Sequence, residues 1–155
     1  MIERGGSLDS FLLSGQVVKG FGRGSKELGC PTANLSLEDC EEAVRGREAG
    51  VYYGWASVDA QQVHGMAMNI GWSPFYGNEQ KTVEVHLFHQ FAEDFYGSRI
   101  RVVVCGYIRG ELNFEGVQQL IDAINGDIQY SKQQLQAPRC QQLKQQHSPF
   151  LLDQE

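Results

Sequence analysis

The segment 20–34, GFGRGSKELGCPTAN, brings together four glycines and two cations, and it follows a short predicted strand. Glycines let backbone N–H groups converge on phosphate oxygens, and a lysine or arginine supplies the counter-charge. The spacing departs from two phosphate-binding templates. Cys30 and Pro31 stand where a Walker A loop needs Lys and Ser or Thr, and Ser25 stands where a dinucleotide loop needs its third glycine. A phosphate-binding loop and a plain glycine-rich surface loop therefore both remain open.

Thr32 and Asn34 are separated by one residue, so an extended backbone places both side chains on one face, about 6–7 Å apart at the Cα atoms. A hydroxyl and an amide oxygen are hard, neutral ligands. They suit Mg²⁺ when phosphate groups supply the negative charge and water fills the remaining positions. The same Pro-Thr-Ala-Asn run could instead cap a turn. From the residues alone, turn chemistry is the simpler interpretation.

Glu84 lies in the middle of a predicted strand whose opposite face carries three aliphatic residues, Val83, Val85 and Leu87. A carboxylate that faces a pocket can accept a proton from a substrate hydroxyl, which typically accelerates a reaction about 10²–10⁴-fold. On a solvated outer face it would have no such role. His86 shares the face of Glu84, so the two could form a metal site or an acid–base pair. A purely structural, hydrogen-bonded histidine is the alternative.

The segment 106–114, GYIRGELNF, delivers a cation and aromatic side chains to the loop before the last helix. The rings could stack on a planar ligand, and Arg109 could hold an anion. A well-packed strand end followed by a helix start explains the same residues. The aromatic loop 72–77, WSPFYG, is equally ambiguous.

Apolar, β-branched and aromatic residues predict the strands that must position these groups. The strands are Gln16–Lys19, Gly50–Val58, Val63–Gly71, Thr82–His89 and Ile100–Arg109. At period two, two sets of residues are each predicted to line one face: Met66, Met68 and Ile70, and then Val102, Val104 and Ile108. No long crossover separates the strands, so we expect an antiparallel sheet.

A helix is predicted after the strands, with Asn113 as its N-cap and Leu112 and Val117 as a hydrophobic staple. Its apolar stripe consists of Val117, Leu120, Ile121, Ile124, Ile128 and Leu135. Gly126 interrupts the helix at a cost of up to about 1 kcal/mol relative to alanine. Strands followed by a helix indicate an α+β fold or a small barrel with a helix packed on it. The Gln-rich segment 133–146 is predicted to end the helix and continue as a tail that folds back or stays mobile.

The chain has 155 residues, with 13 Lys+Arg against 19 Asp+Glu, which gives a formal net charge of −6. This balance disfavours a protein that wraps duplex DNA, although a local basic pocket for phosphate remains compatible. No apolar run is long enough for a membrane span, and acids near the N-terminus disfavour a targeting signal. The four cysteines show no close pairing. We therefore expect neither a disulfide framework nor a cysteine zinc site, and a reducing cytoplasm as the compartment.

Taken together, these motifs resemble those of the single-domain eukaryotic riboflavin kinases, or flavokinases. The matching segments occur in the family's order over residues 15 to 135. They are GFGRGSKELGCPTANL, GVYYGWASV, NIGWSPFYGNEQKTVEVHL, FYG, GYIRGELNF and AINGDI. The combination of PTAN with a later KTVEVHL strand is the most specific part of the resemblance.

The resemblance implies a mainly β fold, a six-stranded antiparallel Greek-key barrel with a C-terminal helix packed against it. This domain would occupy residues 15–137, between an N-terminal extension, residues 1–14, and a C-terminal tail, residues 138–155. The implied reaction transfers the γ-phosphate of ATP to the 5′-hydroxyl of riboflavin, giving FMN and ADP, with Mg²⁺ or alternatively Zn²⁺ as the metal. The expected partners are these small molecules, without nucleic acid or membrane, for a monomer in the cytoplasm.

The resemblance also implies roles for single residues. Thr32 and Asn34 would hold the metal, and Glu84 would be the catalytic base. The residues implied at the nucleotide are Gly20, Lys26, Leu87, His89 and Tyr96, and those implied at the flavin are Arg109, Leu112 and Phe114. Two other functions stay open. One is a barrel that binds flavin or nucleotide without turnover; the other, which the net charge disfavours, is a barrel that binds single-stranded nucleic acid.

Overall fold

The computed structural model describes residues 2–6, 8–18, 32–72, 81–91 and 95–153. Within them the chain forms the strands β1 (Phe11–Val18), β2 (Thr32–Leu35), β3 (Gly50–Val58), β4 (Val63–Trp72), β5 (Lys81–Leu87) and β6 (Arg99–Arg109). They close a barrel in the order β1-β2-β5-β4-β3-β6, and neighbouring strands are antiparallel throughout. This architecture confirms the six-stranded antiparallel Greek-key barrel that the resemblance implies.

The barrel interior is filled by residues that alternate along each strand. Met66, Met68 and Ile70 of β4 are all fully buried in one core cluster, as their period-two spacing predicts. Three residues of β5 join the same cluster: Val83, Val85 and Leu87. Because successive strand residues point to opposite faces, the residues between them lie on the outer face of the barrel wall.

Two irregularities in β6 change which of its residues face the core. Tyr53 pairs with Gly106 while Gly54 pairs with Val104, so one residue of β6 is inserted between them. An inserted residue reverses the alternation beyond it. Val104 therefore lies in the barrel core, whereas Ile108 packs in a second cluster outside the barrel. The predicted common face of Val102, Val104 and Ile108 is wrong at Ile108 for this reason.

The structure has four helices among its described residues: α1 (Leu37–Val44), α2 (Val117–Leu135), α3 (Pro138–Gln146) and α4 (Ser148–Leu151). None of them combines the length and apolar character that a membrane-spanning helix requires. The N-cap of α2 is Gly116, so the predicted cap at Asn113 is wrong. The residues before Gly116 form an irregular loop instead, residues 110–116.

The buried face of α2 differs from the predicted stripe in its first half. Val117 is 68% exposed and Leu120 is also exposed, whereas the residues buried against the barrel are Ala123, Asp127, Ile128, Ser131 and Leu135. The C-terminal half of α2 packs near β4, where Leu135 lies beside the backbone of Gly65. The N-terminal half leaves its apolar side chains at the edge of a cavity described below.

The segment predicted as a tail, 138–155, contains α3 and α4, which cover the outer face of β3 and β6. Trp55 donates its indole N–H to the Cys140 carbonyl at 2.9 Å, and Ser57 donates its hydroxyl to the Leu151 carbonyl at 2.5 Å. The three described cysteines, Cys40, Cys105 and Cys140, are buried and free. At the other end of the chain, β1 begins at Phe11, inside the segment expected to be an extension.

We predict that Leu151→Ala destabilises the protein by about 2–5 kcal/mol, because it removes a fully buried side chain from the outer cluster. Leu152→Ala is the matched control, since the neighbouring leucine is exposed and should cost little. Urea unfolding of both variants measures the difference. Equal free energies of unfolding for the two variants would show that α4 does not contribute to the folded core.

Candidate functional site

A cavity of about 470 Å³ lies on the outer face of the barrel wall, between that wall, α2 and the loop 110–116. Its floor is made by outward-facing residues of the strands, and its roof by α2 and the loop. Both polar and apolar side chains line it, among them Thr32, Glu84, Arg109, Phe114, Leu120 and Ile124. The cavity therefore brings together residues from five strands, β2 to β6, from the loop 110–116 and from α2.

The floor of the cavity is organised by the register of the strands. Asn34 of β2 is paired with Glu84 of β5, and Glu84 is paired in turn with Asn69 of β4. The same row continues through Val51 of β3 to Arg109 of β6. Directly opposed residues of antiparallel strands have Cβ atoms about 4.5–5.5 Å apart, so neighbours in this row are in reach of one another.

Thr32 and Asn34 lie on the outer face of β2, because the intervening Ala33 and the following Leu35 are buried in the core. This alternation matches the expectation that the hydroxyl and the amide share one face. Thr32 lines the cavity and is paired with His86, two residues from Glu84 on β5. Thr32, Ala33 and Asn34 thus lie in a strand at the site rather than in a turn, whereas Pro31 lies outside the described residues.

The Glu84 carboxylate is half-buried, and burial raises the pKa of this carboxyl above its ordinary value. Desolvation disfavours the charged form, and among the described residues no charge or hydrogen bond offsets it. A carboxylate with a raised pKa is a stronger base than an exposed one. The position of Glu84 therefore favours a role in proton transfer over that of a solvated surface residue.

The far end of the cavity is held by an ion pair that the sequence analysis missed. Arg109 donates from Nε to both carboxylate oxygens of Asp127, at 3.0 and 3.2 Å, and from Nη2 to Oδ2 at 2.8 Å. Arg109 is 9% exposed and Asp127 only 4%. Nη1 donates to the Gly110 carbonyl at 3.0 Å, and the guanidinium lies 5.9 Å from the Phe114 ring. Arg109 thus anchors the loop that carries Leu112 and Phe114 into the cavity.

Three of the residues implied at the nucleotide, Leu87, His89 and Tyr96, do not line this cavity. The Leu87 side chain is fully buried inside the barrel, so only its backbone can face a ligand outside. The His89 ring stacks on His64 with centroids 4.2 Å apart, and Tyr96 is 58% exposed. Gly20 and Lys26 lie outside the described residues. A nucleotide role for these five residues stays a prediction.

Two further polar residues of the floor were given no firm role from the sequence. Asn69 faces the cavity beside Glu84, and its amide nitrogen lies near Gly71. His86 also lines the cavity, yet its Nε2 is buried and has no hydrogen-bond partner among the described residues. Burial, and to a smaller extent Lys132, lower the pKa of His86, which favours the neutral ring. The alternation of residues in the strand KTVEVHL was the sequence signal that places His86 on the same face as Glu84.

The donor set fits one class of metal. Among the described residues, no cluster of three or more His, Cys, Asp or Glu side chains could hold an ion by itself. Thr32 and Asn34 offer neutral oxygen atoms next to the carboxylate of Glu84. Such a set suits a hard divalent cation whose charge is balanced largely by a phosphorylated ligand. It does not suit a structural zinc site, which takes cysteine and histidine ligands.

A family model described as Riboflavin kinase (Flavokinase) matches residues 8–135. The riboflavin kinase of Mus musculus is 48% identical over 134 residues, which cover 86% of each chain. That of Homo sapiens is 46% identical over 135 residues, 87% of each chain. The crystal structure of riboflavin kinase from Trypanosoma brucei superposes with a TM-score of 0.75 at 33% identity, covering 94% of this chain and 91% of that one. The chain therefore belongs to the riboflavin kinase family.

Proposed function

We propose that this chain transfers the γ-phosphate of ATP to the 5′-hydroxyl of riboflavin at the cavity between the barrel wall and α2, with Glu84 as the catalytic base. Family membership makes riboflavin the acceptor and ATP the phosphoryl donor. The observation that carries the assignment of the site is the pairing of Asn34 with Glu84 on adjacent strands. This pairing sets the Glu84 carboxylate beside the Asn34 side chain, which supports the proposal that base and metal ligand act at one site.

Phosphoryl transfer needs an oriented nucleophile and neutralised phosphate charge, with little covalent work by the protein. Glu84 would accept the proton of the 5′-hydroxyl. Its burial supports this role, because it raises the pKa of the carboxyl and so reduces the difference between that pKa and the pKa of the alcohol. Thr32 and Asn34 would hold Mg²⁺, with Zn²⁺ as an alternative cation. When bound, that cation supplies positive charge to the transferring phosphate.

The other end of the cavity suits the flavin ring. Leu120, Ile124 and Ile128 of α2 provide apolar surface, and Phe114 provides an aromatic face. Asp127 fixes the orientation of the Arg109 guanidinium beside this apolar surface. The N–H groups of Arg109 that its protein bonds do not use are available to a ring carbonyl.

The remaining parts of the proposal concern partners and compartment. We expect a monomer that acts in the cytoplasm and binds no nucleic acid. The net charge of −6 supports the last point, and the buried free thiols Cys40, Cys105 and Cys140 are compatible with a reducing compartment.

We predict that Glu84→Gln lowers kcat about 10²-fold or more while the fold is preserved, because the amide keeps the shape of the side chain but cannot accept the proton. The measurement is FMN formation from riboflavin and ATP under saturating conditions. Glu42→Gln, an exposed acid of α1, is the control and should keep wild-type turnover. Near-normal turnover of Glu84→Gln would remove Glu84 from the role of base.

The same substitution should raise thermal stability near neutral pH. Because burial raises the pKa of Glu84, the ionised carboxylate costs folding free energy that a neutral amide does not. Between the unfolded and folded pKa values the folded wild type binds more protons than the unfolded chain. Its stability therefore rises as the pH falls through this window, and the advantage of the variant shrinks.

Thermal melts of wild type, Glu84→Gln and Glu42→Gln from about pH 8 to about pH 4 measure this linkage. The Glu42 variant accounts for the general effect of removing one negative charge. A lower melting temperature for Glu84→Gln near pH 8, or a gap that grows on acidification, would contradict the assigned burial of the carboxylate.

For the metal, we predict that Thr32→Val and Asn34→Ala each raise the Mg²⁺ concentration needed for half-maximal turnover, because each removes one neutral oxygen ligand. Ser36→Ala is the control, since this hydroxyl lies just beyond β2 and makes no capping hydrogen bond. Turnover is followed over a Mg²⁺ titration at fixed ATP. An unchanged metal dependence in both variants would place the cation elsewhere.

A further inference from the structure

The N-terminal segment 2–6 ties the last strand of the barrel to the helix that covers the cavity. The Gly5 amide donates to the Ile108 carbonyl at 2.8 Å, which fixes the segment beside the end of β6. The Arg4 guanidinium then reaches α2. Its Nε donates to Asp127 Oδ1 at 2.9 Å, and its Nη2 donates to a backbone carbonyl one turn earlier at 3.2 Å.

Asp127 is consequently shared by two arginines. Arg109 already gives this buried carboxylate a bidentate partner, so Arg4 is not needed to neutralise it. What Arg4 adds is a connection between the N-terminal segment and α2, formed on a buried carboxylate that Arg109 already binds. Removal of Arg4 leaves the Asp127–Arg109 pair intact, which makes the contribution of Arg4 separable by mutation.

Two glycines make room for this contact. A Cβ at Gly126 would lie 2.5 Å from Arg4 Nη2 and 3.0 Å from Cζ, so an alanine there would displace the guanidinium. Gly126 is the residue that weakens the middle of α2, and its cost to the helix now has a structural reason. Gly5 has a φ of +120°, and a Cβ there would lie 3.1 Å from the Tyr130 hydroxyl oxygen.

We propose that Arg4 is a positioning residue for the flavin side of the site: it clamps α2 to the end of β6 and thereby sets the affinity for riboflavin. The inference rests on the proposed function, because it takes the cavity as the riboflavin site. Asp127, Ile124 and Ile128 all line that cavity on the helix that Arg4 holds. The segment 2–6 precedes residue 8, where the family model begins to match, so the clamp belongs to a part of the chain that the model does not cover.

The clamp acts on one substrate selectively. Its contacts are to α2 and to the end of β6, which also carries Arg109 and the loop that follows. The proposed metal ligands Thr32 and Asn34 lie on β2, at the other end of the row of paired strand residues. A general loss of stability would affect both substrates, whereas loss of the clamp should affect riboflavin alone.

The first test compares Arg4→Ala with wild type and with Arg45→Ala, an exposed arginine that does not line the cavity. Arg4→Ala should raise the KM for riboflavin about 3- to 10-fold, with the KM for ATP and kcat nearly unchanged. Arg4→Lys should restore part of the affinity, since lysine keeps one charged donor. Titrating riboflavin with each variant and following the riboflavin fluorescence measures the dissociation constants without turnover. These constants should rank the variants in the same order as the KM values.

The second test is a double-mutant cycle with Gly126→Ala. Alone, this substitution should raise the riboflavin KM as Arg4→Ala does, because the methyl group displaces the guanidinium. In the Arg4→Ala background it should leave the KM unchanged and raise the melting temperature, because alanine favours the helix. Independent, additive effects on KM would overturn the clamp.

The clamp would equally be overturned by an unchanged riboflavin KM in Arg4→Ala, or by equal rises for riboflavin and ATP. A wild-type chain that forms no FMN would instead overturn the proposed function itself. The two failures are distinguishable because the wild-type measurement comes first and uses no variant.

Discussion

The pairing of β2 with β5 is the contact on which the site depends. It joins segments far apart in the sequence and sets Asn34 opposite Glu84. Because a one-residue slip would turn every side chain of a strand to the other face, this register decides whether the carboxylate faces the cavity or the barrel core. The core residues Ala33, Val83 and Val85 hold the register, since each must point inward for the barrel to be filled.

The barrel wall therefore serves two purposes with alternate residues. Its inner face supplies the apolar core, and its outer face supplies the polar floor of the cavity under α2. Glu84 loses part of its hydration there, which raises its pKa and makes the fold less stable at neutral pH than an uncharged residue would. If Glu84 is the base, as we propose, activity and stability make opposite demands on this one side chain.

Local patterns predicted the strands β3 to β6 and the shared face of Thr32 and Asn34, whereas the closed six-stranded barrel was implied by the resemblance to the riboflavin kinases. Period-two alternation marked β4 to β6, and aromatic and β-branched composition marked β3, which is buried on both faces. The same reasoning failed at Ile108, where an inserted residue in β6 reverses the alternation, and such insertions have no marker in the local pattern. It also missed the packed helices α3 and α4, because their Gln-rich composition offers few apolar residues to indicate a buried face.

Contacts between distant residues could not be derived from spacing. Asp127 is paired with Arg109, 18 residues away, and with Arg4, 123 residues away, so its role becomes visible only in the fold. The most direct test of the account is a crystal structure with riboflavin, Mg²⁺ and a non-transferable ATP analogue. We expect the Glu84 carboxylate within about 2.6–3.2 Å of the 5′-hydroxyl and the oxygens of Thr32 and Asn34 about 2.0–2.1 Å from the metal. A 5′-hydroxyl bound by another group, with Glu84 out of reach, would contradict it.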